Sequence, residues 1–266
     1  MFRRSVLTFL YTVLGIRMAS PWSPTVLPDE YEPITPYCKR LASMMKLEGI
    51  EHLKEWQVVC IRAFKSLGAS RHEYICATVT EKTGTLGTYP MHNFAIERGR
   101  SSDPIPTFKP TINQDPQEMI TSVSNSSISS ISSISDTSSP TYYADDIISP
   151  LPDTGSYEKD DELISNLVFS DSENPLYLYQ LALLALTLHG IHESYLLATS
   201  NCYHFAGSIV KVLEQEFEIQ NTVKNSKAGK WYNLDIVSMK EWNIASIRER
   251  YKANVMAFVS FIPIFK

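Results

Sequence analysis

The chain has 266 residues, a formal net charge of −5 and an apolar fraction of 44%, enough for one sizeable domain or two small ones with an ordinary core. Its 24 Lys and Arg against 29 Asp and Glu form no basic block, which argues against nucleic-acid binding through phosphate neutralisation. The four cysteines, Cys38, Cys60, Cys76 and Cys202, show no C-x-x-C spacing, which argues against a paired-cysteine zinc site or a dense disulfide framework and fits reduced thiols in a cytoplasmic protein.

Residues 1–36 read as a leader and extended segment. Ser5 to Ile16 is mostly apolar and follows Arg3-Arg4, but it is too short to span a bilayer and gives no firm membrane anchor. A secretory core interrupted by Arg17, a mitochondrial presequence with no acidic residue before Asp29, and a leader ahead of an alternative start at Met18-Ala19-Ser20 all remain open. Residues 18–36 hold five prolines and read as extended.

From residue 37 onward a single α+β domain is expected. Residues 37–67 read as helical: Leu41, Met44, Met45, Leu47 and Ile50 suit one apolar face, and Trp56, Val59, Cys60, Ala63, Phe64 and Leu67 another. Gly68 suits a helix stop. The period then changes. His72 to Val79 is rich in β-branched and aromatic residues and predicts a strand, Gly84 and Gly87 mark a turn, and His92 to Arg98 predicts the hairpin partner.

Residues 101–160 break the globular pattern. Thr121 to Ser139 is dominated by serine, with Ile128, Ile131 and Ile134 at a spacing that fits neither a helical stripe nor a strand face. Such a segment buries too little apolar surface to offset its ordering entropy, so a disordered insertion is expected, with Ser139-Pro140 and Ser149-Pro150 as candidate phosphorylation sites. Leu163 to Phe169 predicts a third strand, and a leucine-dense helix follows from Pro175 to His189, apolar nearly all round and therefore buried. A helix from Cys202, a short strand over Trp231 to Val237, a helix over Glu241 to Tyr251 and an apolar tail over Val255 to Phe265 complete the chain. This order of elements predicts α+β with a small antiparallel sheet packed against helices.

The stretch Asn201-Cys202-Tyr203-His204-Phe205 is the candidate site. Ser200 or Asn201 suits the helix cap, which places Cys202 on the first turn, where the helix dipole favours the nucleophilic thiolate. At about 100° per residue, Cys202 shares a face with Phe205, Ala206, Ile209, Leu213 and Phe217, so the thiol points toward the sheet. His204 diverges from it and is excluded as an intrahelical base. His72, at a strand start, is the candidate base. His92 or Glu97 on the partner strand is the candidate third group that would orient the base, and the Cys202 N–H is a candidate oxyanion donor. Against this stands the tendency of free cysteine to be a small buried hydrophobe. Cys60 and Cys76 read as core, and His52, His189 and His192 as surface or helix-end residues. No phosphate loop, dinucleotide fingerprint or metal motif is present, so no cofactor is expected.

Tyr195 to Phe205, with its N-C-x-x-F pattern, resembles the cysteine motif of permuted papain-fold thiol proteins of the NlpC type, such as PPPDE-type isopeptidases and lecithin–retinol acyltransferase-like proteins. It is also similar to uncharacterised fungal proteins with an N-C-Y-x-F motif. In these enzyme families a histidine on an early strand precedes the cysteine, the order of His72 and Cys202 here. The resemblance spans about residues 70–100 and 160–220. It implies a circularly permuted papain-like fold, Cys202 as nucleophile and His72 as base, with His92 matching a second histidine loosely. The glycine-rich context of the family histidine is absent around His72-Glu73-Tyr74. The expected function is a cysteine hydrolase or acyltransferase acting through a thioester on an isopeptide, peptide or lipid ester. The alternative is a non-catalytic interaction protein that retains the fold.

Overall fold

The computed structural model describes residues 25–28, 31–67, 72–82, 90–104, 142–151, 161–169, 174–192, 194–195, 201–223, 230–231, 234–235 and 243–260. A short strand, β1 (Glu32–Pro33), leads into helix α1 (Ile34–Glu48), whose inward stripe of Ile34, Tyr37, Cys38, Leu41, Met44 and Met45 is buried. The helix ends at Gly49, where φ is 87°, a conformation that costs least without a Cβ. One further turn of helix, α2 (Ile50–Lys54), follows.

The expected helix over residues 37–67 stops there. Trp56–Lys65 is a strand, β2, paired on both sides. The sequence misleads because a bulge lies between Val58 and Cys60. The extra residue breaks the two-residue alternation and leaves apolar positions at 56, 59, 60, 63 and 64, which imitate a helical stripe. The aromatic and β-branched content suits a strand, and pairing on both edges decides it.

Strands β3 (Glu73–Glu81) and β4 (Met91–Pro104) form the expected antiparallel pair, with Tyr74 opposite Glu97 and Val79 opposite His92. Gly68, Gly84 and Gly87 lie outside the described residues. The expected disordered insertion over 101–160 requires correction at both ends. β4 runs on to Pro104, and Tyr142–Leu151 is a strand, β5, paired with β4 along most of its length. Ala144, Ile147 and Ile148 give β5 buried apolar side chains, and Asp146 is buried beside them. The Ser-rich stretch, with Ser139-Pro140, lies outside the described residues. Ser149-Pro150 sits within the ladder opposite Ala95 and Phe94 rather than in a loop.

Strand β6 (Glu162–Val168) forms as expected and pairs with β2. After a two-residue strand, β7 (Leu176–Tyr177), comes the buried helix α3 (Leu178–Ile191), and then the short strand β8 (Ser194–Tyr195). Helix α4 (Cys202–Glu216) carries the candidate nucleophile. The expected strand over Trp231 to Val237 is a small hairpin of β9 (Lys230–Trp231) and β10 (Leu234–Asp235). Helix α5 (Ile244–Val259) starts at its Asn243 cap and takes in the first part of the expected tail; residues 261–266 lie outside the described set.

The class is α+β. Among the described residues the antiparallel sheet has eight strands, more than the small sheet expected, in the order β1-β5-β4-β3-β2-β6 with β7 on β2 and β8 on β5. It curves as a half-barrel. On one face Ile61, Ala63, Ile75, Ala77, Phe94, Ile96 and Ile148 share a core with the helices, through Leu181, Leu184, Leu188, Ile209 and Leu213. The other face is more polar. Arg62 Nη2 donates to Thr78 Oγ1 at 3.2 Å, and Thr78 donates to Asn93 Oδ1 at 2.8 Å. No helix among the described residues is long and apolar enough to cross a membrane.

Helix α3 buries nine of its 14 residues in this core. Leu184→Ala should lower unfolding stability by about 2–5 kcal/mol, since the deletion leaves a cavity in a fully buried site. Leu186→Ala, at a half-buried position of the same helix, should cost less than half as much, as read by guanidinium unfolding.

Candidate active site

The position of Cys202 begins with Asn201. Its backbone is extended (φ −95°, ψ −172°), and its side-chain oxygen accepts the His204 backbone N–H at 3.1 Å while its carbonyl accepts that of Phe205. This N-cap fixes where α4 starts and makes Cys202 the first helical residue. Cys202 is only 4% exposed and lies on the first turn of α4, at the positive end of the helix dipole.

His72 stands just ahead of β3. Its carbonyl accepts the Ser66 N–H at 2.8 Å, which ties the base to the end of β2. Its ring stacks on Tyr74, with centroids 6.1 Å apart and planes 14° apart. Nε2 lies 2.9 Å from Glu97 Oε2, and the Cys202 side chain is the ring's other polar neighbour. Burial disfavours the charged imidazolium, but the hydrogen bonds and negative charge of Cys202 and Glu97 outweigh it and push His72 up to about 10. The ring is therefore protonated at neutral pH and donates to the Glu97 carboxylate.

The neighbourhood of Glu97 is acidic. Tyr74 donates its hydroxyl to Asp161. Burial together with the Asp145 and Glu97 charges raises the Tyr31 hydroxyl above its usual range.

Of the candidate site residues, Cys202, His72 and Glu97 come together, and His92 does not. In an antiparallel hairpin the start of the second strand meets the end of the first. His92 is therefore opposite Val79, its ring 5.7 Å from that of Trp56, and roughly 20 Å along the strand from His72 at about 3.3 Å per residue. The same pairing brings Glu97 opposite Tyr74 and so to His72.

His204 packs against His192, with ring centroids 4.6 Å apart. Burial, and then the charges of His192 and Arg98, pull its pKa down to about 3, so it is neutral and is not a base for Cys202. His52 lies between Glu48 and Glu55, and His189 Nδ1 lies 2.9 Å from Asp146 Oδ2. Cys38 and Cys76 are core residues, whereas Cys60 is half-buried on the polar face, its thiol donating to Asn166 Oδ1 at 3.3 Å. Among the described residues no group of three or more His, Cys, Asp or Glu is placed to hold a metal ion.

No protein-family model, no curated protein and no solved structure matches this chain. The site therefore rests on its own geometry.

Sequence reasoning missed the buried charges that lie against the first turn of α4. Lys65 and Glu73 form an ion pair with side chains only 1% and 2% exposed, and the Lys65 ammonium lies 4.7 Å from the centre of the Tyr203 ring. A signal was available once β2 is read as a strand, because alternation from Ile61 and Ala63 carries Lys65 to the core face. The helical reading of that segment concealed it.

The raised His72 fixes the sign of a pH effect. Stability from its pairing is fully present below its ordinary value of 6.5 and is lost as pH rises through about 10. Glu97→Gln should therefore destabilise the protein by about 1 kcal/mol at pH 6, a value held low because both side chains are partly exposed. The difference should shrink toward zero at pH 10.5, as measured by urea unfolding of the two proteins at each pH.

Proposed function

We propose that this chain is a cysteine hydrolase or acyltransferase, with Cys202 as nucleophile, His72 as general acid and base, and Glu97 as the group that orients His72. The observation that carries this reading is the place of His72, whose Nε2 lies 2.9 Å from Glu97 Oε2 and whose ring has Cys202 as its other polar neighbour. A helix-end thiol beside a histidine that a carboxylate orients is the minimum for an activated thiol. The Cys202 thiolate attacks the substrate carbonyl carbon and forms a tetrahedral oxyanion beside the Cys202 backbone N–H, which at the first helical position has no intrahelical carbonyl to bond. The intermediate collapses to a thioester as His72 gives its proton to the departing amine or alcohol. Water, or an acceptor amine or alcohol, then attacks the thioester while His72 takes its proton, and the Cys202 thiolate leaves.

The chain order supports the same reading. The base precedes the nucleophile, as in the permuted papain-fold proteins that the Asn201–Phe205 motif resembles. A protein or lipid-ester substrate is the matching partner, with neither nucleic acid nor a cofactor involved. The four free thiols suit a reducing compartment such as the cytoplasm, and a mitochondrial or secretory destination would require residues 1–17 to act as a targeting segment. One observation favours the alternative of a non-catalytic interaction protein: the 4% exposure of Cys202, which leaves a substrate carbonyl little approach.

Alkylation decides between the two. At pH 6 an ordinary thiol with a pKa of about 8.5 is less than about 1% thiolate. Iodoacetamide should label Cys202 of the wild type at least about 100-fold faster than Cys202 of His72→Ala at that pH, as followed by peptide mass spectrometry. Equal rates would leave the interaction protein as the surviving reading.

A further inference from the structure

The first turn of α4 rests on two buried cations, each paired with a carboxylate on an adjacent strand. Lys65 Nζ, on the last residue of β2, is 3.2 Å from Glu73 Oε1, on the first residue of β3, and faces the Tyr203 ring. Arg98, on β4, makes a two-pronged pair with Asp146 of β5, with Nε–Oδ1 and Nη2–Oδ2 both 2.6 Å, and its guanidinium lies 4.8 Å from the centre of the Phe205 ring. Arg98 and Asp146 are also almost completely buried.

Burial of a charge pair is costly, and a well-packed apolar pair of the same volume serves a core at least as well. What an ion pair adds is direction. The carboxylate fixes the ammonium, and the ammonium fixes the aromatic ring that lies over it. The location of Lys65–Glu73 makes that direction matter, because Glu73 is bonded to His72 and Tyr203 is bonded to Cys202. The pair thus touches the neighbour of the base and the neighbour of the nucleophile at once. The hydrogen bond from the Ser66 N–H to the His72 carbonyl, at 2.8 Å, adds a backbone tie at the same corner.

We propose that the buried Lys65–Glu73 pair is the positioning element of the site, holding α4 against the start of β3 so that the Cys202 sulfur stays in register with the His72 ring. This role rests on the Cys202–His72 reading above. Neither residue is given a chemical step in that reading. Arg98–Asp146 holds the same helix independently through Phe205, so removal of Lys65–Glu73 leaves α4 docked and isolates the local effect.

The test uses the full chain with Lys65 and Glu73 replaced together (K65M/E73M), so that no unpaired charge is left in the core, and a second variant, K65R, that keeps a cation under Tyr203. The measurement is the rate of Cys202 alkylation by iodoacetamide from pH 5 to 9, read at the Cys202 peptide by mass spectrometry, with circular dichroism melting of each protein. The double variant should remain folded, label Cys202 about tenfold more slowly at pH 6, and have its acid limb displaced upward by about one pH unit. K65R should retain most of the wild-type profile. A folded double variant with the wild-type pH profile would overturn the positioning role and leave the dyad standing. A wild type whose Cys202 follows the profile of an ordinary thiol, the same as His72→Ala, would overturn the dyad and the positioning role together.

Discussion

The pairing of β3 with β4 is the constraint on which the site depends. Tyr74 lies opposite Glu97, and this register delivers the carboxylate to His72 at the strand's start. Side chains alternate across a strand, so a slip of one residue would move Glu97 to the helix-packed face and Arg98 to the polar one. The buried Arg98–Asp146 pair strongly disfavours such a slip, because each charge would lose its partner or leave the core unbalanced. The apolar neighbours Phe94 and Ile96 also lock the alternation by occupying the core face.

On the helix side, Asn201 sets the start of α4, and the inward stripe of Phe205, Ile209 and Leu213 sets its rotation. These two features place Cys202 at the rim of the sheet. Cys202 and Glu97 together hold the proton of the His72 ring against burial, so the three groups are coupled rather than separate contributors.

The long departure of the chain between Pro104 and Tyr142 is accommodated at little cost to this arrangement. The flanking strands pair with one another, Asn93 with Leu151 through Arg100 with Ala144, so the segment leaves and returns at neighbouring positions of the sheet. Loop-closure entropy grows only slowly with length, and the strands it joins are anchored by Ile96, Ile147, Ile148 and the Arg98–Asp146 pair.

Much of the site was legible from local chemistry. The Asn201 cap, the inward face of Cys202, the strand after His72 and the exclusion of His204 follow from helix geometry, capping preference and side-chain alternation, which act over a few residues. Glu97 was in view but not separable from His92, because the choice between them is made by strand register across a turn. The β-structure of Trp56–Lys65 and Tyr142–Leu151 was hidden for a related reason. A bulge disguised the period of the first, the Ser-rich context masked the second, and both owe their conformation to partners far away in the chain. Local pattern was enough for the α+β class and the capped cysteine helix, and it named His72 as the candidate base. Long-range pairing alone brought Glu97 rather than His92 to His72, and buried Lys65, Glu73, Arg98 and Asp146 against the first turn of α4. Pairing register and the burial of charge are properties of strands brought together from distant parts of the chain.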